Sequence, residues 1–155
     1  MTMHMDEELK RLGFAAPTIE KRLFSIKHWS KNNIANDYIY SISNSIDNIE
    51  AAPGTTIYVT ARYAGSFILE EGGQLIAPNL IKCNSIILSH GAKAYCPSLQ
   101  RTENGWFGEN DYKRDGTIFV DKGSLIYAPY CQPKYQTGEG QFLRKIPDSE
   151  LNLNH

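Results

Sequence analysis

Between Gly65 and Leu99 the apolar residues fall two apart, change phase at a glycine and resume two apart beyond it, and the same order returns at Gly116 to Cys131. Gly72, Gly91 and Gly123 can be laid over one another. Three residues before each stand Leu69, Leu88 and Val120, and five before stand Phe67, Ile86 and Ile118. Three after stand Leu75, Ala94 and Ile126, five after Ala77, Cys96 and Ala128, six after Pro78, Pro97 and Pro129, and eight after Leu80, Leu99 and Cys131. A period of two predicts strands. The glycine predicts a corner, where a positive φ carries no steric cost. The proline predicts the end of the second strand, because it has no N–H for a ladder. One unit is strand, glycine corner, strand, proline corner.

The interval from Gly72 to Gly91 is about the length of one coil of a β-solenoid. Like residues then stack at roughly 4.8 Å, and stacked coils bury an apolar face that no single coil can bury alone. A fainter copy precedes these. Gly54 stands before Gly72 at almost the same interval, with Ile57 and Val59 after it and Ile49 and Ala51 before it in the apolar columns. Terminal coils are expected to be atypical. The expected fold is therefore mainly β: a small single-domain right-handed β-helix (β-solenoid) of about four coils with an N-terminal α-helical cap. Residues 1–53 form the cap and first strands, 54–131 the coils, and 132–155 a C-terminal tail in which Phe142, Leu143 and Ile146 cover the last coil.

The units resemble the short Gly-x-Leu-x-Ala-Pro-x-Leu repeats of some bacterial and phage β-solenoid proteins, here Gly73-Gln74-Leu75-Ile76-Ala77-Pro78-Asn79-Leu80. The resemblance covers about half the chain and implies an architecture without catalytic residues. It also suggests a bacterial or phage origin, with a toxin-neutralising or anti-defence role as one expectation. Bactofilin-type polymerising solenoids are a looser architectural comparison.

Residues 4–12 read as the helix of the cap. Asp6, Glu7 and Glu8 fall in its first turns, Lys10 and Arg11 near its end, and Met5, Leu9 and Leu12 on one face. Gly13 is the expected stop. Its expected role is to cover the open edge of the first coil, which would otherwise recruit other chains.

Two features stand outside the buried columns. Four residues after each glycine come Tyr58, Ile76, Tyr95 and Tyr127. Their parity is opposite to the core, so they form an outward apolar stripe, suited to a partner, to a second copy of the chain in a homodimer, or to cover by the segment Phe14 to Tyr40. The second feature is an insertion. Gly123 follows Gly91 at well over one coil length, and the excess falls within 100–115. That loop carries Trp106, Phe107, Glu109, Asp111, Tyr112 and Arg114, residue types suited to an interface hot spot or to folding back over the core edge.

Composition narrows the chemistry. A net charge of −1 gives no general attraction to nucleic acid or anionic membrane, although Lys21, Arg22, Phe24, Lys27, His28, Trp29 and Lys31 form a short basic–aromatic cluster. There is no run of transmembrane length and no signal-peptide pattern at the N-terminus, and the three cysteines lack pairing motifs, which together suggest a cytoplasmic protein. No metal or cofactor is expected: Cys96 and Cys131 occupy apolar columns, and no Cys-x-x-Cys accompanies Cys83, His28 or His90. No catalytic residue is assigned. The six-residue spacing of Leu69, Leu75, Ile81 and Ile87 is similar to hexapeptide acyltransferases, for which His90 would be the base, but it breaks at Lys93. Glu70 and Glu71 are adjacent and so face opposite ways on a strand, which disfavours a carbohydrate-cleaving pair. The leading expectation is a non-enzymatic protein-binding module, with a β-helix enzyme and a self-assembling scaffold as alternatives.

Overall fold

The computed structural model describes residues 2–14, 39–42, 49–51, 53–54, 56–100, 118–133 and 136–147. Among these described residues one helix, α1 (Thr2–Arg11), is followed by eleven short strands: β1 (Ile39–Ile42), β2 (Ile49–Ala51), β3 (Thr56–Val59), β4 (Ser66–Leu69), β5 (Gln74–Ile76), β6 (Ser85–Leu88), β7 (Lys93–Tyr95), β8 (Ile118–Val120), β9 (Leu125–Tyr127), β10 (Gln136–Thr137) and β11 (Gln141–Leu143). Successive strands alternate between two sheets. One has the order β1-β3-β5-β7-β9-β11, the other β10-β8-β6-β4-β2, and every pairing is parallel. This is a β-solenoid of about four turns.

The register follows the repeat. Phe67 pairs with Ile86 and Ile86 with Ile118 in one sheet, and Leu75 with Ala94 and Ala94 with Ile126 in the other. The residues of the five aligned apolar columns are at most 1% exposed, and all belong to one core cluster between the sheets. Gly54, Gly72, Gly91 and Gly123 all turn with φ between 73° and 82°. Their corners are stitched together by the backbone, Gly54 N–H donating to Glu71 O and Gly72 N–H to His90 O. At the last of them Ser124, fully buried, donates through its hydroxyl to Ser89 O and accepts from Ala92 N–H, tying the coil that follows the insertion to the one before it.

The stack continues beyond Cys131, where only a covering tail is expected from the sequence. β10 adds to one sheet and β11 to the other, with Gln136 over Ile118 and Gln141 over Leu125. The corner between them is tight, because the step from Leu125 to Gln141 is two positions shorter than the step from Ile118 to Gln136. Gly138, at φ 101°, and Gly140 lie directly on Val120: a Cβ on Gly138 would stand 2.2 Å from Val120 O, and one on Gly140 2.3 Å from Val120 Cγ1. Phe142 packs on the main core, as the apolar residues of the tail imply.

α1 differs from the expected cap in start and in place. It begins two residues earlier, so the acidic residues lie beyond its first turn; Glu7 pairs with Arg11 at 2.8 Å and Glu8 faces the sheet. It ends as the sequence implies. Gly13 at φ 82° takes the left-handed position, Gly13 N–H donates to Lys10 O and Phe14 N–H to Leu9 O, and Leu9 and Phe14 belong to one apolar cluster. Those bonds and that contact make a Schellman stop. The helix does not sit over the end of the stack. Met5, Leu9, Leu12 and Phe14 pack on Tyr58, Ile76, Tyr95, Leu125, Tyr127 and Leu143, which come from five successive strands of the six-stranded sheet. The physical reason is area: a continuous outward apolar column offers the helix more surface to bury than one strand edge does.

Candidate binding surfaces

The outward parity of the tyrosine column is observed. Tyr58, Ile76, Tyr95, Tyr127 and Leu143 stand one over the next in register. Tyr95 and Tyr127 stack with ring centroids 5.7 Å apart, and Phe14 meets Tyr95 edge-on at 6.5 Å. α1 and the residues after it cover this column, leaving Ile76 and Tyr95 each 3% exposed and Tyr58 and Tyr127 half-buried. Two polar anchors flank the apolar contact. The Tyr95 hydroxyl donates to Glu8 Oε1 at 2.6 Å, and the Lys93 ammonium donates to Gly13 O, where the carbonyl end of the helix favours a cation. Burial pushes ionisation of Tyr95 well above its ordinary value, reinforced by the hydrogen bond and charge of Glu8; burial first, and then Glu8 and Tyr130, raise Tyr127; burial lowers Lys93.

The opposite sheet carries its own outward column, four residues before each glycine: Ile68, Ile87 and Phe119, in register with Glu50 at one end and Thr137 at the other. Ile87 is 38% and Phe119 41% exposed. Ser66 and Ser85, hydrogen-bonded to each other at 3.0 Å, border the stripe. Reading only the columns after the glycine misses this surface. The signal was present, since Ile, Ile and Phe recur at the same position before it.

The residues 101–117 that hold Trp106, Phe107, Glu109, Asp111, Tyr112 and Arg114 lie outside the described residues, as does the basic–aromatic cluster between Lys21 and Lys31. The described ends of the insertion are Gln100, exposed at the proline corner, and Ile118, one residue before Phe119.

The candidate chemical groups are used by the fold. Cys83, Cys96 and Cys131 are free and fully buried in the core, and burial raises the Cys83 and Cys96 thiols well above their usual range. Buried thiols held protonated behave as small apolar groups. His90 Nδ1 lies 2.7 Å from Lys122 O, against the next corner. Among the described residues no group of three or more His, Cys, Asp or Glu is placed to hold a metal ion, and no helix is long and apolar enough to cross a membrane. Comparison of the chain with protein-family models, with curated proteins and with solved structures returned no match.

Proposed function

We propose that this chain is a non-enzymatic protein-binding module whose contact surface is the outer face of the five-stranded sheet, centred on Ile68, Ile87 and Phe119. One observation carries the reading: both sheets present an outward apolar column, one is covered by the chain's own α1, and the other leaves two large apolar side chains, Ile87 and Phe119, about two-fifths exposed. A flat column of apolar side chains on a rigid sheet suits a protein surface, and burying it returns about 25 cal/mol per Å² of apolar area. Trp106, Phe107, Glu109, Asp111, Tyr112 and Arg114 of the insertion are added to this reading on residue type alone, as side chains suited to an interface hot spot. The tyrosine column serves instead to hold α1. The coil is right-handed in this reading, in keeping with the general hand of parallel crossovers. The protein works in the cytoplasm, where its three thiols stay reduced, and a toxin-like or host-defence protein is the kind of partner that the repeat style suggests.

The test places a photo-crosslinking phenylalanine analogue at Phe119, and at exposed Glu71 as control, in the cells that make the protein. The expected result is a discrete cross-linked species at Phe119 that disappears when Ile87→Ser is added and is absent from the control. A self-linked species would make the partner a second copy, giving the homodimer. Equal, diffuse labelling at both positions would overturn the reading.

A further inference from the structure

A groove of about 680 Å³ runs along the proline corners and is lined by Thr60, Arg62, Asn79, Ile81, Ser98, Gln100 and Tyr130. It is built by the repeat. Leu80, Leu99 and Cys131 are fully buried in successive coils, with Ala61 beside them in the same core cluster. The residues flanking that row therefore point outward, by alternation along the chain. One flanking ladder is Thr60, Asn79, Ser98, Tyr130; the other is Arg62, Ile81, Gln100. The second is held rung to rung by the backbone, Ile81 N–H donating to Arg62 O at 2.8 Å and Gln100 N–H to Ile81 O at 3.0 Å. In the first, Ser98 Oγ donates to Pro78 O at 3.0 Å, which fixes the hydroxyl and leaves its lone pairs toward the groove. The rungs are a strand spacing apart, so four coils give a track of about 14 Å.

The side chains define the ligand. Amides and hydroxyls each donate and accept, and so match a ligand whose own groups do both, namely a row of hydroxyls. Among the described residues the side-chain amides of Asn79 and Gln100 have no protein partner and are available to such a row. Tyr130, 65% exposed at the end of the track, offers an apolar ring face with a polar tip. Ile81 adds an apolar rung between the polar ones. A pyranose ring has this combination, an apolar C–H face and a hydroxyl rim. An apolar ligand would strand the amides, and a highly charged one would meet a single charged side chain among the described lining residues, Arg62. We infer that this groove binds a linear neutral oligosaccharide, about three sugar units lying parallel to the solenoid axis with one ring stacked on Tyr130. This site is separate from the sheet face that contacts protein.

The test is calorimetric titration of the full chain with maltopentaose, cellopentaose, chitopentaose and pentagalacturonic acid. At least one neutral pentasaccharide is expected to bind. Tyr130→Ala and Asn79→Ala are each expected to weaken that binding tenfold or more, with unchanged melting temperature because both side chains are exposed. Tyr130→Trp should retain it, and Ile87→Ser should not alter it. Three outcomes would overturn the inference: no neutral pentasaccharide bound at millimolar concentration, binding untouched by Tyr130→Ala, or binding of pentagalacturonic acid alone.

Discussion

At the scale of the residue, the corner glycines look alike in the sequence and differ in what surrounds them. A Cβ on Gly72 would meet nothing nearer than Gly54 N at 3.7 Å, so Gly72→Ala is opposed only by its φ of +73°. Holding an L-residue in that left-handed region costs roughly 1–2 kcal/mol. Gly138→Ala carries the same kind of backbone strain and also drives a Cβ into the Val120 carbonyl, where only backbone movement gives relief. Urea unfolding of the two variants should show a loss of about 1–2 kcal/mol for Gly72→Ala and at least twice that for Gly138→Ala. Equal losses would mean that the last coil does not press on Val120. The same contrast explains what could be read from the sequence. Columns that recur once per coil announce themselves, and the members of the five aligned apolar columns were legible as buried, whereas the column of Ala92 and Ser124 was not. Gly138 was not, because its coil is short on one side and so falls out of every aligned column.

At the scale of the element, α1 is a short helix held by a seam of apolar contacts and two polar anchors, and its length alone gives it little helical stability in water. Its apolar face was legible from Met5, Leu9 and Leu12, and the column it covers from Tyr58, Ile76, Tyr95 and Tyr127. That one would cover the other was not legible, since the two lie far apart in the chain and no local pattern links them. The anchors make the docking sensitive to alkali. Tyr95 and Tyr127 ionise above the ordinary tyrosine value of 10.0, so above that pH the folded chain keeps protons that the unfolded chain has released. Their contribution is intact below about pH 10 and is lost as the pH rises beyond it. Lys93 acts in the other sense: its lowered value means that, between that value and 10.5, the unfolded chain holds the extra proton and stability gains with pH. With two tyrosines and the buried thiols of Cys83 and Cys96 all raised, against one lowered lysine, the net expected trend is a fall. Urea midpoints measured at about pH 9 and about pH 11 should drop for the wild type and drop less for Tyr95→Phe with Tyr127→Phe. Near neutral pH, Tyr95→Phe alone should cost about 1.5–3 kcal/mol, the range of a hydrogen bond to a charged group. An equal pH slope in wild type and double variant would show that these hydroxyls are not held as described.

At the scale of the molecule, two sheets share one core, and the insertion interrupts the sequence without interrupting the stack. Ile86 pairs with Ile118 just as Phe67 pairs with Ile86, although the step to Ile118 crosses the whole inserted loop and the step to Ile86 crosses a single coil. Removing residues 103–115 would restore the ordinary step and bring Thr102 over the buried column of Ala64 and Cys83, a place that a small side chain suits. The shortened chain should fold, melt within a few degrees of the wild type and keep the groove at the proline corners, while losing the cross-link at Phe119 if the insertion belongs to that contact. Failure to fold would show instead that Trp106 and Phe107 complete the core. The excess length could be read from the repeat and agrees with the pairing of Ile86 and Ile118, but which side the loop serves could not, because a loop has no periodicity to reveal it.

The tight last coil also bears on how such a chain can change in length over generations. A solenoid grows when a segment encoding one coil is duplicated, and each upstream coil here can be copied, because it offers its neighbour the same spacing on both sheets. After Val120 that freedom ends. β11 follows its partner β9 at a shorter interval than β10 follows β8, so a duplicate placed beyond them would meet its template out of step on one face. Descendants of this sequence should therefore differ in the number of coils between Gly54 and Gly123 more readily than in the coil that carries Gly138 and Gly140, as a spiral stair takes extra identical steps more easily than a second uneven one.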